Sequence, residues 1–233
     1  MNRALRRDYL AAMGLETWVA RAPAAAARSA AERTASPVAV PPESPREAGY
    51  DWAQLRARVA ACTRCGLAAT RTQTVFGVGN LEAEWLVVGE APGAEEDRAG
   101  EPFVGRAGQL LNAMLRAIGL QREQVYIANV LKCRPPQNRD PLAAETGECL
   151  PYLERQIALL RPKILLAVGR IAAQNLLRTD AALARLRQKV HVFGESRVPL
   201  VVTYHPAYLL RTPADKRKAW EDLKFAREVI ARG

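Results

Sequence analysis

The stretch Trp85-Leu-Val-Val-Gly-Glu-Ala-Pro-Gly93 decides how this chain folds. Its first four residues form a short apolar run typical of a buried parallel strand, and Gly89, Pro92 and Gly93 end that run abruptly. Because ligands bind beyond the carboxyl ends of strands in open α/β sheets, we interpret the acidic loop that follows as part of an active site. The alternative is an ordinary acidic turn on the surface.

Strand-like and helix-like segments alternate along the rest of the chain. Apolar runs predict three more strands, over residues 125–131, 164–168 and 198–203. Helical spacing and capping residues predict helices over residues 51–61, 106–118, 143–160, 170–177 and 213–230. Strands that alternate with helices need crossover connections, which favour parallel strands. We therefore predict an α/β fold, a three-layer α/β/α sandwich around a four-stranded, mainly parallel sheet.

Composition and charge narrow the choice of partners. The 233 residues, 49% of them hydrophobic, can bury one good core, and a second full domain is not expected. The net charge of +10 indicates a polyanionic partner, foremost nucleic acid and then an anionic membrane. No apolar run reaches the roughly 18 residues of a membrane-spanning helix, and the N-terminus lacks the apolar core of a signal peptide. We expect a cytoplasmic, nucleoid-associated monomer with no membrane partner.

The first 48 residues differ from the rest of the chain. Residues 1–21 interleave large apolar side chains with arginines, a pattern typical of an amphipathic helix that docks on a partner. Residues 22–48 are rich in alanine and proline and are predicted to be a linker. Residues 49–233 should form the globular domain. Packing of the first segment on its own domain is the alternative to docking.

Four cysteines occur in the order C-x2-C … C-x15-C, at Cys62, Cys65, Cys133 and Cys149. Structural disulfides are rare in cytoplasmic proteins, so we expect the thiols to bind a metal centre, with unliganded buried thiols as the alternative. A redox CxxC is disfavoured, because Cys62 and Cys65 follow a predicted helix and do not link a strand to a helix. Four thiolates suit structural zinc or a [4Fe-4S] cluster, and the spacing does not decide between them.

Polar residues stand at three of the predicted strand ends. Glu90 follows the first strand, Asn129 lies near the end of the second, and His205 follows the fourth. The amide of Asn129 can donate and accept hydrogen bonds at a base edge, and the imidazole of His205 can donate to a developing anion. Taken separately, Asn129 could cap a turn and His205 could be a structural histidine. Their convergence with Glu90 on one sheet edge favours a catalytic site.

In addition to the cysteines, four short motifs occur one after another along the chain. They are Gly89-Glu-Ala-Pro-Gly93, Gly100-Glu-Pro-Phe-Val-Gly105, Asn129-Val-Leu-Lys-Cys-Arg-Pro-Pro136 and His205-Pro-Ala-Tyr-Leu-Leu-Arg211. With these motifs the chain resembles the family 4 uracil-DNA glycosylases over roughly residues 50–232. The resemblance implies their fold, a monofunctional uracil-DNA glycosylase activity that initiates base-excision repair, and uracil-containing DNA as the substrate.

The same resemblance implies a [4Fe-4S] cluster as the cofactor, held by the four cysteines. The basic insertion that carries the nucleophilic histidine of the DNA-crosslinking relatives is absent between Pro136 and Glu145, so covalent capture of DNA is not expected. An iron-sulfur protein that binds nucleic acid or senses redox state, without glycosylase activity, is the alternative from another functional class.

The resemblance also implies a role for each residue of the base pocket. His205 and the backbone amides at Gly89 would hold the 2-oxo group of uracil, and Asn129 would bind the ring imide and the 4-oxo group. Phe103 would stack on the flipped base. Glu96 would exclude the 5-methyl group of thymine.

Two further roles follow from the resemblance. Glu90 would position water or support the reaction electrostatically, although Ala91 stands where family 1 enzymes carry their water-activating aspartate. The side chains that would enter the groove left by the flipped nucleotide are Tyr208, Leu209, Leu210 and Arg211. Arg134, Arg139 and Arg211 would lie near phosphates.

A second resemblance concerns the N-terminus. Arg6-Arg-Asp-Tyr-Leu10, Met13-Gly-Leu-Glu-Thr-Trp18 and Arg21-Ala-Pro23 are similar to the N-terminal peptide of the psi subunit of bacterial DNA polymerase III, which docks on the chi subunit. The similarity covers residues 1–23 and implies recruitment to the replication machinery through the chi subunit.

Overall fold

Six strands form one sheet in the computed structural model, which describes residues 49–194 and 197–232. The strands are β1 (Val78–Gly79), β2 (Trp85–Gly89), β3 (Tyr126–Asn129), β4 (Ile164–Val168), β5 (His191–Phe193) and β6 (Val198–Thr203). The α-helices of these ranges are α1 (Trp52–Ala60), α2 (Ala94–Ala99), α3 (Arg106–Ala117), α4 (Ala143–Leu160), α5 (Arg170–Leu177), α6 (Leu183–Leu186), α7 (Pro206–Arg211) and α8 (Lys216–Arg232). The predicted docking peptide and linker lie outside the described residues.

The order of strands across the sheet is β1-β3-β2-β4-β6-β5. The four central strands are parallel and are the four that the sequence predicts, whereas both edge strands run antiparallel to their neighbours. The prediction of a four-stranded sheet therefore falls two strands short. Both missed strands have only two or three residues, too few to show a clear alternation of apolar and polar side chains.

Helices cover both faces of the sheet, which confirms the predicted three layers. Side chains of β2 alternate between two apolar cores, with Leu86 and Val88 in one core and Trp85 and Val87 in the other. The first core includes residues of α4, α5 and α6, and the second includes residues of α3, α7 and α8. Every residue of β2 is buried, as expected of a strand covered on both faces.

A third apolar cluster joins α1 to α4 and contains the cysteines. Asp51 caps α1, because its carboxylate accepts from the N–H of Gln54 at 2.8 Å. The side chain of Gln54 accepts in return from the N–H of Asp51 at 3.0 Å, which completes a capping box. The capped helix ends just before the CxxC pair, so it fixes where the chain delivers those two thiols.

The carboxyl ends of the parallel strands lie side by side. Gly89 at the end of β2 is the register partner of Asn129 at the end of β3, and Val168 of β4 is the partner of Thr203 of β6. His205 lies two residues beyond β6. The predicted site residues therefore meet at one edge of the sheet, where open α/β folds bind their ligands.

The C-terminal helix begins later than predicted. Residues Pro213–Asp215 form a short 3-10 helix, and the α-helix runs over Lys216–Arg232. The short helices α2 and α7 were not predicted, since six residues carry too little periodicity. In the described part of the chain, no helix has both the length and the apolar character needed to cross a membrane.

Candidate active site

A cleft of about 420 Å³ opens at the carboxyl edge of the sheet. Most of the side chains that the sequence singled out at this edge line it, namely Glu90, Glu96, Phe103, Asn129, Arg139, His205, Tyr208 and Arg211. The structure thus brings together residues that are more than 100 positions apart in the chain.

Asn129 presents an acceptor without a partner to this cleft. The residue is only 2% exposed, and its Oδ1 makes no hydrogen bond within the described residues. A buried polar group left unpaired costs about 1–3 kcal/mol, so such a group in a native structure needs an explanation. A ligand that donates a hydrogen bond to Oδ1 provides one.

Gly89 allows two pocket side chains to come close together. A Cβ at this position would lie 2.3 Å from Oδ1 of Asn129 and 2.7 Å from the ring of Phe103. Any larger residue would therefore displace both side chains. The sequence identified Gly89 for its backbone amides, and the structure adds a steric reason for glycine.

Phe103 enters the cleft from a strained backbone. Its φ angle of 55° lies in the left-handed region, which bulky residues rarely adopt. The guanidinium of Arg122 stabilises this bend by donating to the carbonyl oxygens of Pro102 at 2.6 Å and Phe103 at 3.3 Å. Gly108 is needed as well, because a Cβ there would lie 1.7 Å from the Phe103 oxygen. Sequence reasoning missed both Arg122 and Gly108.

His205 lines the cleft as a neutral hydrogen-bond donor. Its Nδ1 accepts from the N–H of Ala207 at 3.1 Å, which leaves the ring proton on Nε2. Burial, with a smaller contribution from the positive charge of Arg211, lowers the pKa of His205 to about 4, so the ring is uncharged at neutral pH. Gly169 makes room behind it, since a Cβ there would lie 2.9 Å from the Cβ of His205.

Glu90 lies partly buried in the wall of the cleft. Burial, with a smaller contribution from the nearby Asp140, raises the pKa of Glu90 to about 7 against the opposing effect of Arg170. Asp140 and Arg170 form an ion pair at 2.6 Å. A carboxyl group that titrates near neutral pH is suited to general base catalysis. Sequence reasoning missed Asp140 and Arg170, because no local pattern sets them apart from other surface charges.

Glu96 ties together two loops beside the cleft. Its carboxylate accepts hydrogen bonds from the N–H groups of Gly93 at 3.1 Å, Val104 at 3.1 Å and Gly105 at 3.2 Å. These contacts brace the loop that carries Phe103 against the loop that follows β2. The exclusion of a 5-methyl group by Glu96 stays a prediction.

The structure contradicts one of the predicted DNA contacts. Leu209 is 1% exposed and packs in the core shared by α3 and α8, so it cannot reach DNA in this conformation. Its neighbour Leu210 is partly exposed, because successive residues of a helix point in different directions. The motif alone did not distinguish these two leucines.

The basic residues around the cleft are accessible to different degrees. Arg211 is exposed and Arg134 partly exposed, with Arg211 on the cleft wall. Arg139 pairs with Glu145 through two bonds of 2.6 and 2.9 Å, although its side chain is still 37% exposed. Tyr208 also lines the cleft. These four side chains keep their predicted role as candidate DNA contacts.

All four cysteines line one small cavity, which shares no lining residue with the cleft. They are free thiols, two of them buried and two partly buried. They come from three separate parts of the chain, namely the segment after α1, the loop after β3, and α4. Among the described residues, no group of three or more histidine, cysteine, aspartate or glutamate side chains is arranged to hold a metal ion.

Nitrogen donors and cations surround the sulfur atoms. Arg71 donates to Sγ of Cys133 at 3.2 Å, and the backbone N–H of Lys132 donates to Sγ of Cys149 at 3.2 Å. Arg64 also lines the cavity. Burial raises the pKa of Cys149 to about 12 against the opposing effect of Lys132, whereas a coordinated thiol is deprotonated outright. The donors and charges of this cavity therefore fit an anionic, thiolate-ligated centre.

Comparison with known proteins relates this arrangement to a family. A profile of the Uracil DNA glycosylase superfamily matches residues 76–224. The chain is 44% identical over 180 residues to a type-4 uracil-DNA glycosylase of Archaeoglobus fulgidus, with 75% of this chain and 90% of the relative covered. This chain belongs to the type-4 uracil-DNA glycosylase family. A second member of the family, from Thermotoga maritima, is 41% identical over 177 residues and covers 74% and 91% of the two chains. A type-5 uracil-DNA glycosylase of Pyrobaculum aerophilum is 32% identical over 146 residues.

Membership of the type-4 family confirms the resemblance read from the motifs. The psi-like peptide precedes the residues that the superfamily profile matches, and it lies outside the described residues. Docking on the chi subunit therefore stays a prediction.

Proposed function

We propose that this protein is a monofunctional uracil-DNA glycosylase, which flips deoxyuridine out of DNA and hydrolyses its N-glycosidic bond at the start of base-excision repair. The observation that carries the proposal is the buried Oδ1 of Asn129, which has no partner within the described residues and belongs to a side chain that lines the cleft. The ring imide of uracil offers the N–H donor that this oxygen lacks. Family membership supports the same activity.

Asn129 distinguishes uracil from cytosine by the direction of its hydrogen bonds. Its Oδ1 accepts from the imide N–H of uracil, and its amide N–H donates to the 4-oxo group. Cytosine has an acceptor at the ring nitrogen and a donor at the exocyclic amine, so both bonds would be lost. Phe103 stacks on the base, a contact worth about 1–3 kcal/mol, and Glu96 excludes the methyl group of thymine.

His205 stabilises the leaving base. As the bond between C1′ of the sugar and N1 of uracil breaks, its electron pair moves onto the base and negative charge develops at the 2-oxo group. The neutral imidazole donates its Nε2–H to that oxygen, and backbone N–H groups near Gly89 add to the same stabilisation. Because the pKa of His205 is low, this donor keeps the same protonation state throughout the neutral range.

Glu90 acts on the water that attacks the sugar. The water oxygen bonds to C1′, and the proton that the water loses passes to the carboxylate of Glu90. The negative charge of the carboxylate also stabilises the oxocarbenium-like sugar before the attack. The uracil anion takes up a proton from solvent after release. Glu90 therefore acts in its ionised form, which predominates above the pKa of about 7.

The four cysteines hold a [4Fe-4S] cluster in this proposal. Such a cluster would take all four cysteines as thiolate ligands. Four free thiols around one cavity agree with that ligand set. When bound, the cluster supplies a cross-link between α1, the loop after β3 and α4.

The exposed groups around the cleft contact DNA in this proposal. Tyr208 and Leu210 of α7 fill the groove left by the flipped nucleotide, and Arg134, Arg139 and Arg211 bind neighbouring phosphates. Leu209 stays in the core.

Oligonucleotides with one uracil, thymine or cytosine at the same position test the proposed activity. We expect alkali-labile abasic sites only in the uracil strand. Asn129→Asp is a variant of matched size, and it should excise uracil slowly because a carboxylate cannot donate a hydrogen bond to the 4-oxo group. Intact uracil strands together with DNA binding by an iron-containing protein would instead favour the nucleic-acid-binding or redox-sensing alternative.

We further propose that the peptide of residues 1–21 docks on the chi subunit of DNA polymerase III and that residues 22–48 form the tether. The sequence pattern supports this, since aromatic and apolar anchors alternate with arginines before an Ala/Pro-rich segment. Deletion of residues 1–45 should abolish binding to purified chi subunit and leave excision on short oligonucleotides unchanged. Loss of activity or of thermal stability would show that this segment belongs to the catalytic domain.

A further inference from the structure

Lys132 is a buried cation without a carboxylate partner. The residue is 1% exposed, although lysine is almost never fully buried unless it is paired. Its Nζ donates to Oε1 of Gln156 at 2.6 Å and to the backbone oxygen of Asn129 at 2.9 Å. Both acceptors are uncharged, and no carboxylate in the described ranges forms an ion pair with Lys132. Something other than these two bonds must therefore balance its charge.

The cysteine cavity lies next to this lysine. The backbone N–H of Lys132 donates to Sγ of Cys149, and Cys133 is the following residue. A buried charge is strongly unfavourable unless an opposite charge lies close to it. Thiolates that carry a metal centre would provide that negative charge, so the anion of this site and the cation of Lys132 stabilise each other.

Lys132 is also held firmly in place. Its backbone oxygen accepts from the N–H of Val75 at 2.8 Å. The side chain of Gln156 is fully buried and donates to the backbone oxygen of Phe76 at 2.9 Å, so the acceptor beyond Nζ is fixed as well. A residue bound at its N–H, its carbonyl and its ammonium group can transmit a displacement from one neighbour to another.

We propose that Lys132 is a positioning residue that couples the cysteine centre to the uracil pocket. Its ammonium group is the counter-cation of the centre and at the same time fixes the main chain of Asn129, whose side chain reads the base. The coupling covers five residues of chain, from Asn129 to Cys133. This inference rests on the proposed function, because it concerns the same base-reading residue and the same cysteine-held centre.

Lys132→Met in the cluster-loaded, full-length protein tests the coupling with two readouts. The single-turnover rate on a uracil oligonucleotide should fall at least about tenfold, since one lost bidentate contact to a base has that scale. The reduction potential of the cluster should become more negative, because loss of a nearby positive charge disfavours the added electron. Iron content and visible absorption should remain.

Two more variants complete the test. Lys163→Met removes an exposed lysine, which pairs with Glu84, and should change neither readout. Lys132→Arg keeps the charge but not the two bonds of the ammonium group, so it should slow excision and leave the potential near that of the natural protein. If Lys132→Met does not fold, Lys132→Arg decides the matter alone: slowed excision with a natural potential supports the coupling, and natural excision or a clearly more negative potential overturns it.

The coupling would be overturned if Lys132→Met excised uracil at the natural rate or kept the natural reduction potential of the cluster. It would also be overturned if the reduction potential in Lys132→Arg fell as far as in Lys132→Met. A natural protein that contains no cluster would also overturn it. The absence of a cluster would also remove the proposed cofactor, but none of these results touches the proposed glycosylase activity, which depends on uracil excision by the natural protein.

Discussion

The cleft and the cysteine cavity are joined by residues 129–133, yet they are built in opposite ways. The cleft is open, about 420 Å³ in volume, and holds an acceptor that has no partner in the described residues. The cysteine cavity has about 10 Å³ of free space, and N–H donors already bind two of its sulfur atoms. The cleft is suited to exchange a ligand at every turnover, and the cavity is suited to keep one.

The two regions also differ in what holds their residues in place. Gly89 and Asn129 end adjacent parallel strands, and backbone hydrogen bonds of the sheet fix both positions. The cysteines lie outside the sheet, in segments that side-chain packing and the hydrogen bonds from Arg71 and Lys132 hold together. We therefore expect substitutions in the cleft to change rates, and substitutions in the cysteine cavity to change stability.

His205→Ala should have the largest effect on rate. Loss of a donor to a developing oxyanion costs about 10²–10³ in rate, or roughly 3–4 kcal/mol of transition-state stabilisation. Single-turnover kinetics on a uracil oligonucleotide measure the loss, and thermal unfolding should show no matching drop in stability. His191→Ala is the matched control, because His191 lies on the edge strand β5. A normal rate for His205→Ala would contradict its role.

Cys149→Ser should mainly lower stability, in contrast to the effect of His205→Ala on rate. Loss of one ligand should release iron, remove the brown colour and lower the free energy of unfolding by at least about 2 kcal/mol. Lys132 would then lack its counter-charge, so the loop after β3 should become more open to proteases before the sheet unfolds. Iron analysis, absorption spectra and limited proteolysis measure these changes. Full activity of a colourless protein with one equivalent of zinc would refute the cluster.

The rate of the natural protein should depend on pH through Glu90. Because its carboxylate acts above a pKa of about 7, the single-turnover rate should be level at higher pH and about tenfold lower at pH 6. Glu90→Gln should be slow and nearly independent of pH. His205 titrates near pH 4 and does not interfere. A flat profile for the natural protein would remove Glu90 from the mechanism.

Glu90 should also affect how the free energy of unfolding depends on pH, and its raised pKa determines the direction of that effect. Glu90 holds its proton more tightly in the folded than in the unfolded protein, so its contribution to stability is present below pH 4.5 and is lost as the pH rises to about 7. Glu90→Gln should therefore be more stable than the natural protein at pH 8. Chemical denaturation at pH 4 and pH 8 measures the difference. A variant that is less stable at pH 8 would contradict the buried, unfavourable carboxylate.

Arg211→Ala should have the smallest effect. Arg211 is exposed and would contact a phosphate, so DNA binding should weaken severalfold and the salt dependence of log Kd should fall by about one unit. Binding titrations at several salt concentrations measure this slope. Arg232→Ala, near the end of α8, should leave it unchanged. An equal slope for both variants would place Arg211 outside the DNA contact.

The sequence alone predicted the four central strands and the residues at their ends, because apolar runs followed by glycine or polar residues are local signals. Sequence patterns could not identify Arg122, Gly108 and Gly169, because each acts through contacts with residues distant in the chain. Gly108 illustrates the difficulty, because only the path of the Phe103 backbone shows that no Cβ fits there.

The sequence also did not predict which of two adjacent leucines is buried, or that a lysine is buried. Leu209 and Leu210 are neighbours in one motif, and only the packing of α7 on the core separates them. Lys132 is an unremarkable basic residue in the sequence, yet a glutamine 24 positions away holds it inside the protein.

The most direct test of the central claim compares two substrates in two proteins. Oligonucleotides with deoxyuridine or N3-methyldeoxyuridine differ only at the imide N–H that Oδ1 of Asn129 is proposed to accept. The natural protein should excise deoxyuridine at least about tenfold faster, on the scale of 1–3 kcal/mol for a base contact. In Asn129→Ala, which lacks the acceptor, both substrates should be slow and nearly equal. Equal excision of both by the natural protein, or full discrimination by Asn129→Ala, would show that Asn129 does not read the base.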